Sequence, residues 1–389
     1  MRLFTAYLGV ALTASFPSLS LAAQELGQSP QLEAVVSAAM EEFGIPGAAV
    51  GIWTSSGHWT MAAGLADVAA KRPVKLRDHF AIRSITKSFT VTIVLQLVAG
   101  SNGAVRLDDP IAKYLQGVPN GRDITLRELA NMTSGLYNYS LDPAFQEAVG
   151  TDPTRTWMTE ELLAFAFNDQ SHPAINFPPG TQYEYSNTNT LLLGKLVEVL
   201  TGRRFEDELQ ERILTPLQLD ATSFLTGTAV PPPAATGYQG LTEDGLPNPV
   251  EVSFSALGVA GAMASTLHDL GRWGRALADG SLVPADLQQQ RLQAHLTAGD
   301  PRSPVYDSYG LGIGQVAGWW GHTGEGLGFE AAVFHQIDRN ETFAILLNES
   351  ERSDVPVTIF CRMLGVLNEA PQPDSSSVCA GGASRLNAR

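Results

Sequence analysis

The stretch that most constrains this chain is Phe80-Ala81-Ile82-Arg83-Ser84-Ile85-Thr86-Lys87-Ser88-Phe89-Thr90, which runs straight into Val91-Thr92-Ile93-Val94-Leu95-Gln96-Leu97-Val98. It reads as a helix that is apolar on nearly all sides, and such a helix must lie inside a fold. Ser84 and Lys87 are three residues apart and so share one face. Burial disfavours a charged amine, so a lysine there gives up its proton readily. That is what a base beside a serine needs. At the start of the helix, free backbone N–H groups can also steady an oxyanion. A Ser-x-x-Lys pair arises by chance too. Its place at the start of a buried helix is what singles it out.

A chain of 389 residues, 44% apolar and 17% charged, is long enough to bury that helix in one large domain or two smaller ones. Arg2, the apolar run Leu3 to Leu12 and the small-x-small site Ser20-Leu21-Ala22 read as a secretory signal over residues 1–22. Export to a periplasm or the medium is therefore expected, with no stable membrane insertion, since no other stretch is long enough to span a bilayer. The formal net charge of −15 argues against nucleic acid or an anionic membrane as partner. Cys361 and Cys379 could form one disulfide joining the tail to the last helix. A buried free thiol at Cys361 is the other reading. The seven histidines show no ligand spacing, so no metal is expected.

Along the chain, Gln31 to Phe43 has helical periodicity, and Ala48–Thr54 with His58–Ala63 reads as a β-hairpin. Thr125-Leu126-Arg127-Glu128 is a capping box opening a short helix. Thr159 is expected to cap Glu160–Phe167. Thr188–Leu200 reads as a helix stopped by Gly202, and Phe205–Leu214 as one stopped by Pro216. Val230-Pro231-Pro232-Pro233-Ala234 is a stiff connector. Ser265-Thr266 caps a helix to Ala278, and Pro284 opens another running to His295. Tyr309–Val316, Phe329–Ile337 and Thr342–Leu347 read as strands, and Asp354–Leu367 as a closing helix. Strands and helices at both ends thus enclose a mainly helical middle, which predicts an α+β fold. Residues 33–105 and 245–368 would form one discontinuous sheet domain, with an antiparallel sheet flanked by helices. Residues 106–244 would form a helical domain, and residues 371–389 a flexible tail.

A serine nucleophile also needs a proton shuttle to the leaving group and donors for the oxyanion. Two stretches could supply them. Gly180-Thr181-Gln182-Tyr183-Glu184-Tyr185-Ser186-Asn187 opens the Thr188 helix, and Trp319-Trp320-Gly321-His322-Thr323-Gly324-Glu325-Gly326 precedes a strand. Singly, each has an ordinary structural reading. Tyr185 could simply pack, Asn187 could cap a helix, His322 could be a satisfied histidine, and the glycines could shape a turn. No Gly-x-Ser-x-Gly elbow is present.

Together and in this order, Ser84-x-x-Lys87, Tyr185-Ser186-Asn187 and His322-Thr323-Gly324 resemble the serine penicillin-recognising enzymes, the group of D-alanyl-D-alanine carboxypeptidases, class C β-lactamases and related esterases and D-aminopeptidases. Leu107-Asp108-Asp109-Pro110-Ile111, Thr133-Ser134-Gly135-Leu136 and Ala260-Gly261-Ala262-Met263-Ala264-Ser265-Thr266 look like further landmarks. The resemblance covers roughly residues 33 to 365. It implies the β-lactamase/transpeptidase-like fold and two-step acyl transfer without a cofactor, on a small-molecule or peptide substrate. Ser84 would be acylated, with Lys87 as its base or the tuner of one, and Tyr185 would carry the proton to the leaving group. Asn187 would orient substrate and Lys87. His322 and Thr323 would line the edge strand, and the N–H groups of Ser84 and Glu325 would form the oxyanion hole.

The likeness is greatest to the exported carboxypeptidases with His-Thr-Gly, so a carboxypeptidase-like hydrolase is the leading expectation. Two departures favour an esterase or a D-amino-acid amidase or aminopeptidase as the alternative. Gly314 follows Tyr309-Gly310-Leu311-Gly312-Ile313 where such carboxypeptidases carry a carboxylate-gripping Arg. Glu325 stands where they carry a small hydroxylated residue: turned to the site, its charge would repel an anionic leaving group or meet a free amine, and the other reading is that it points to solvent. A penicillin-binding sensor that does not turn over is the rival of a different class.

Overall fold

The computed structural model describes residues 29–168, 171–296, 304–367 and 378–379. The expected signal segment over residues 1–22 and most of the expected tail lie outside the described residues. Among those described, no helix is long and apolar enough to cross a membrane.

A nine-stranded antiparallel sheet organises the molecule. The N-terminal part supplies β1 (Gly47–Thr54), β2 (Gly57–Asp67) and β3 (Arg72–Pro73). The C-terminal part supplies β4 (His295–Leu296), β5 (Ser308–Tyr309), β6 (Gly314–Val316), β7 (Trp319–Gly326), β8 (Phe329–Gln336) and β9 (Glu341–Leu347). The order across the sheet is β3-β2-β1-β9-β8-β7-β6-β5-β4, so β1 pairing with β9 joins the two ends of the chain.

Side chains alternate between the two faces of a strand, and here both faces are buried. Ala331, Val333, Ala344 and Leu346 face one core, shared with α2 (Thr86–Gly100), α3 (Asn187–Thr201) and α4 (Leu267–Asp279). Ala332, Phe334, Phe343 and Ile345 face the other, covered by α1 (Ser29–Phe43) and α5 (Val355–Val366). That two-sided burial is why β8 and β9 read as near-continuous apolar runs. The result is the expected α+β sandwich.

The helix α2 is buried along its whole first half, from Thr86 to Leu95. Its hydroxyls are satisfied locally: Thr86 Oγ1 donates to Arg83 O at 2.6 Å, Ser88 Oγ to Ile85 O at 2.6 Å and Thr92 Oγ1 to Ser88 O at 2.7 Å. Phe89 stacks on Trp273 of α4 with ring centres 3.7 Å apart, and the Trp273 indole N–H donates to Ser88 Oγ at 2.9 Å.

Several boundaries differ from the sequence reading. Tyr309–Val316 is two short paired strands, because Gly312, with φ +64, folds the chain back and Gly310 N–H reaches Ile313 O at 2.8 Å. The His322 segment is itself strand β7. The helix after Pro284 ends at Arg291, and His295 lies in β4. The helix Thr159–Ala166 is capped by the Glu161 carboxylate, which accepts Met158 N–H at 2.8 Å, and Thr159 is its first residue. The helix from Phe205 passes through Pro216 by way of a π-turn over Gln210–Leu214, which places the proline at the start of a final turn. Cys361 and Cys379 are disulfide-bonded, so the free-thiol reading falls.

The α4 helix reaches the sheet through small residues. A Cβ at Gly274 would lie 2.1 Å from Val333 Cγ2. Gly274→Val should therefore overpack this contact and destabilise the protein by about 1–3 kcal/mol, read from the denaturant midpoint. An unchanged midpoint would show that the layers have slack here.

Candidate active site

Ser84 sits in a single 3₁₀ turn, Arg83–Ile85, that leads into α2, so it stands just before the α-helix proper and Lys87 lies in its first turn. The turn is forced. Arg83 has φ +48, a region that bulky residues rarely occupy. Its buried guanidinium donates to Leu327 O and lies 4.7 Å over the Phe254 ring and 5.5 Å over that of Phe329. Burial pushes it down to about 9. These contacts hold a strained bend directly beneath the serine.

Lys87 is fully buried. Its Nζ is 2.9 Å from Ser84 Oγ and donates to Ala260 O at 2.7 Å, while the Tyr185 ring centre is 4.9 Å away. Burial holds the ammonium well below its ordinary pKa. A neutral amine offers its lone pair to the serine O–H. Tyr185 is 9% exposed, and burial, with Tyr306 next, raises its phenol well above the usual value, while contact with Ser84 acts the other way. The pair therefore rests as amine and phenol, a proton acceptor beside a proton donor.

Asn187, the first residue of α3, points its amide N–H₂ at Ser140 Oγ at 3.0 Å, and its Oδ1 is buried without a hydrogen-bond partner among the described residues. Lys87 is held by Ser84 and Ala260, so the expected Asn187–Lys87 contact is replaced by a carbonyl that sequence reasoning did not assign.

On the facing strand β7, a Cβ at Gly324 would lie 2.1 Å from Ile82 O and 3.0 Å from Ser84 N, so glycine lets the strand abut the serine turn. His322 is fully buried between two tyrosines, with Nε2 2.8 Å from Tyr309 Oη and Nδ1 3.2 Å from Tyr306 Oη. Burial pushes it down to about 3, so it is neutral, packed against Tyr306 and Tyr309. Thr323 Oγ1 is 2.8 Å from Tyr306 Oη. Glu325 is exposed at the end of β7 and accepts from Ser353 Oγ at 2.7 Å.

The fold thus brings Ser84, Lys87, Tyr185 and Gly324 together, with Thr323 and His322 behind them and Asn187 and Glu325 at the flanks. Arg83 and Tyr306 were not anticipated. Each acts through a contact remote in sequence, and the one local signal is Tyr306 three residues before Tyr309. Among the described residues no group of three or more His, Cys, Asp or Glu side chains is placed to hold a metal ion.

Comparison with known proteins agrees with this geometry. Residues 32–359 match the family described as Beta-lactamase. A D-aminopeptidase of Brucella ovis is 29% identical over 342 residues, which are 87% of this chain and 63% of that protein, so the chain spans under two thirds of that relative's length. The crystal structure of a D-stereospecific amidohydrolase from Streptomyces sp. is 32% identical, with a TM-score of 0.75 over 87% of this chain and 99% of its own. A D-amino acid amidase from Ochrobactrum anthropi SV3, 22% identical with a TM-score of 0.75 over 87% of this chain and 98% of its own, shares the fold. With its Ser84 turn, its antiparallel sheet and nearly the whole described chain matched, this protein belongs to the Beta-lactamase family of serine hydrolases.

Proposed function

We propose that this serine hydrolase is an amidohydrolase acting on D-amino-acid amides and related neutral acyl substrates through an acyl-enzyme on Ser84. The observation that carries the mechanism is the buried, uncharged Lys87 amine 2.9 Å from Ser84 Oγ. Ser84 passes its proton to Lys87 Nζ as its oxygen attacks the substrate carbonyl. The oxyanion is held by the N–H groups of Ser84 and Glu325. The proton then travels by way of the Tyr185 hydroxyl to the leaving nitrogen, the C–N bond breaks, and the amine departs. Water repeats the steps on the ester and frees the acid and Ser84. Asn187 orients the acyl part.

The choice of substrate rests on charge. Gly314 offers no side chain to a carboxylate, and Glu325 forms no ion pair among the described residues. A free amine suits this site better than a terminal carboxylate. The names of the relatives, a D-aminopeptidase and a D-stereospecific amidohydrolase, support the amidase alternative over the carboxypeptidase. The apolar run after Arg2 and the Cys361–Cys379 disulfide support export.

A fluorophosphonate probe should label the protein, and Ser84→Ala should abolish labelling; a variant that still labels sinks the assignment. Labelling without turnover of any ester or amide would instead favour the sensor. On peptides, those ending in a free D-Ala carboxylate should be cleaved more slowly than their amides or esters, and equal rates would refute the charge argument. Stability carries a further signature. Between the depressed Lys87 pKa and its ordinary 10.5, the unfolded chain binds one proton more than the folded one, so stability falls as pH drops through that window. Lys87→Met removes this linkage. Its stability relative to the wild type should rise from about pH 10 to about pH 7, and a pH-independent difference would mean that Lys87 is charged in the fold.

A further inference from the structure

The strand edge beside Ser84 is only partly open. β6 pairs with β7 as far as Gly321, opposite Gly314, and among the described residues no strand continues along that side. Tyr306 takes its place. Its hydroxyl accepts Thr323 N–H at 2.8 Å and lies 2.8 Å from Thr323 Oγ1. Its ring fills the space over Gly314, where a Cβ would come within 2.3 Å of two ring carbons. The rings of Tyr309 and His322, centred 5.4 Å and 5.7 Å away, pack it in place.

Backbone groups of a strand alternate in direction with a period of two. Since Thr323 N–H meets Tyr306, Glu325 N–H and C=O emerge on the same edge. A substrate laid along that edge can pair with Glu325 and then finds Thr323 already bonded. This blocked end lies on the side of Tyr185, the proposed proton donor to the leaving group. Tyr185 is 6.5 Å between ring centres from His322, which itself touches Tyr306.

Resting on the amidohydrolase reading, we propose that Tyr306 is a specificity-determining residue that closes the leaving-group end of the cleft, so that small uncharged leaving groups such as ammonia or a short alcohol are accepted and peptide leaving groups are turned away. The Gly314 that lacks a carboxylate grip is then also the residue that makes room for the wall.

The test is kcat/KM on four substrates, the amide and the alanyl dipeptide of D- and of L-phenylalanine, for wild type, Tyr306→Phe and Tyr306→Leu. Preference for D over L tests the functional reading. The amide-to-dipeptide ratio tests Tyr306. Wild type should favour the amide, and Tyr306→Phe, which frees Thr323 N–H but keeps the ring that forms the wall, should stay within about threefold of its ratio. Tyr306→Leu, which keeps apolar bulk but draws back from the edge, should lower the ratio by about tenfold or more. A Leu variant with the wild-type ratio, or a wild type that favours the dipeptide, overturns the proposal. A shifted ratio without D preference upholds Tyr306 and removes the substrate reading. If no amide is turned over, the same comparison of ethyl with benzyl esters decides the role of Tyr306 while the amidase reading fails.

Discussion

An amine buried without a counter-charge is the constraint around which this molecule is arranged. A carboxylate beside Lys87 would hold the proton on the amine and end its proposed use as a base. Although acids outnumber bases in the chain, none pairs with Lys87 among the described residues, and its partners are a hydroxyl and a carbonyl. Keeping that pocket closed and free of acid requires a helix whose first half is wholly buried, layers packed on both faces of the sheet, and a tyrosine ring closing the remaining side. The fold is in this sense the solvent of one nitrogen.

Around that centre, the machinery for acyl transfer and the means of choosing a substrate are built differently. The groups proposed to handle protons lie at or just before helix starts. The groups proposed to face the departing part of the substrate come from β6, β7 and the segment before β5, where Tyr306 fills the space over Gly314. Such a division lets one family keep its chemistry while relatives differ in what they cleave. Two of the relatives matched here are named a D-aminopeptidase and a D-stereospecific amidohydrolase.

Much of this was legible in the sequence for definite reasons. Ser84 and Lys87 are neighbours on one turn, so their spacing is their geometry. The two-sided burial of the sheet appears as uninterrupted apolar runs at Phe329–Gln336 and Glu341–Leu347. Tyr185 and His322 were found only through resemblance, since nothing local ties them to Ser84. That the His322 segment is a strand follows from the resemblance and not from its local pattern, because its glycines look like turn residues, whereas at Gly324 the glycine serves close packing against the serine turn. The break inside Tyr309–Val316 turns on a positive φ at Gly312, which an apolar pattern does not encode. Tyr306 was missed because its meaning lies in a partner seventeen residues away.

The bend at Arg83 has a consequence for how such an enzyme can be tuned. In the proposed reaction, tetrahedral intermediates arise twice, once on the way to the ester and once on the way from it. Both place their charged oxygen against the same Ser84 amide. Because the guanidinium anchors the turn that carries that amide, through Leu327, Phe254 and Phe329, altering the anchor would move the two barriers together. The balance between capture and release then has to be adjusted where water enters, and the turn itself acts as a common gear for both halves of the cycle.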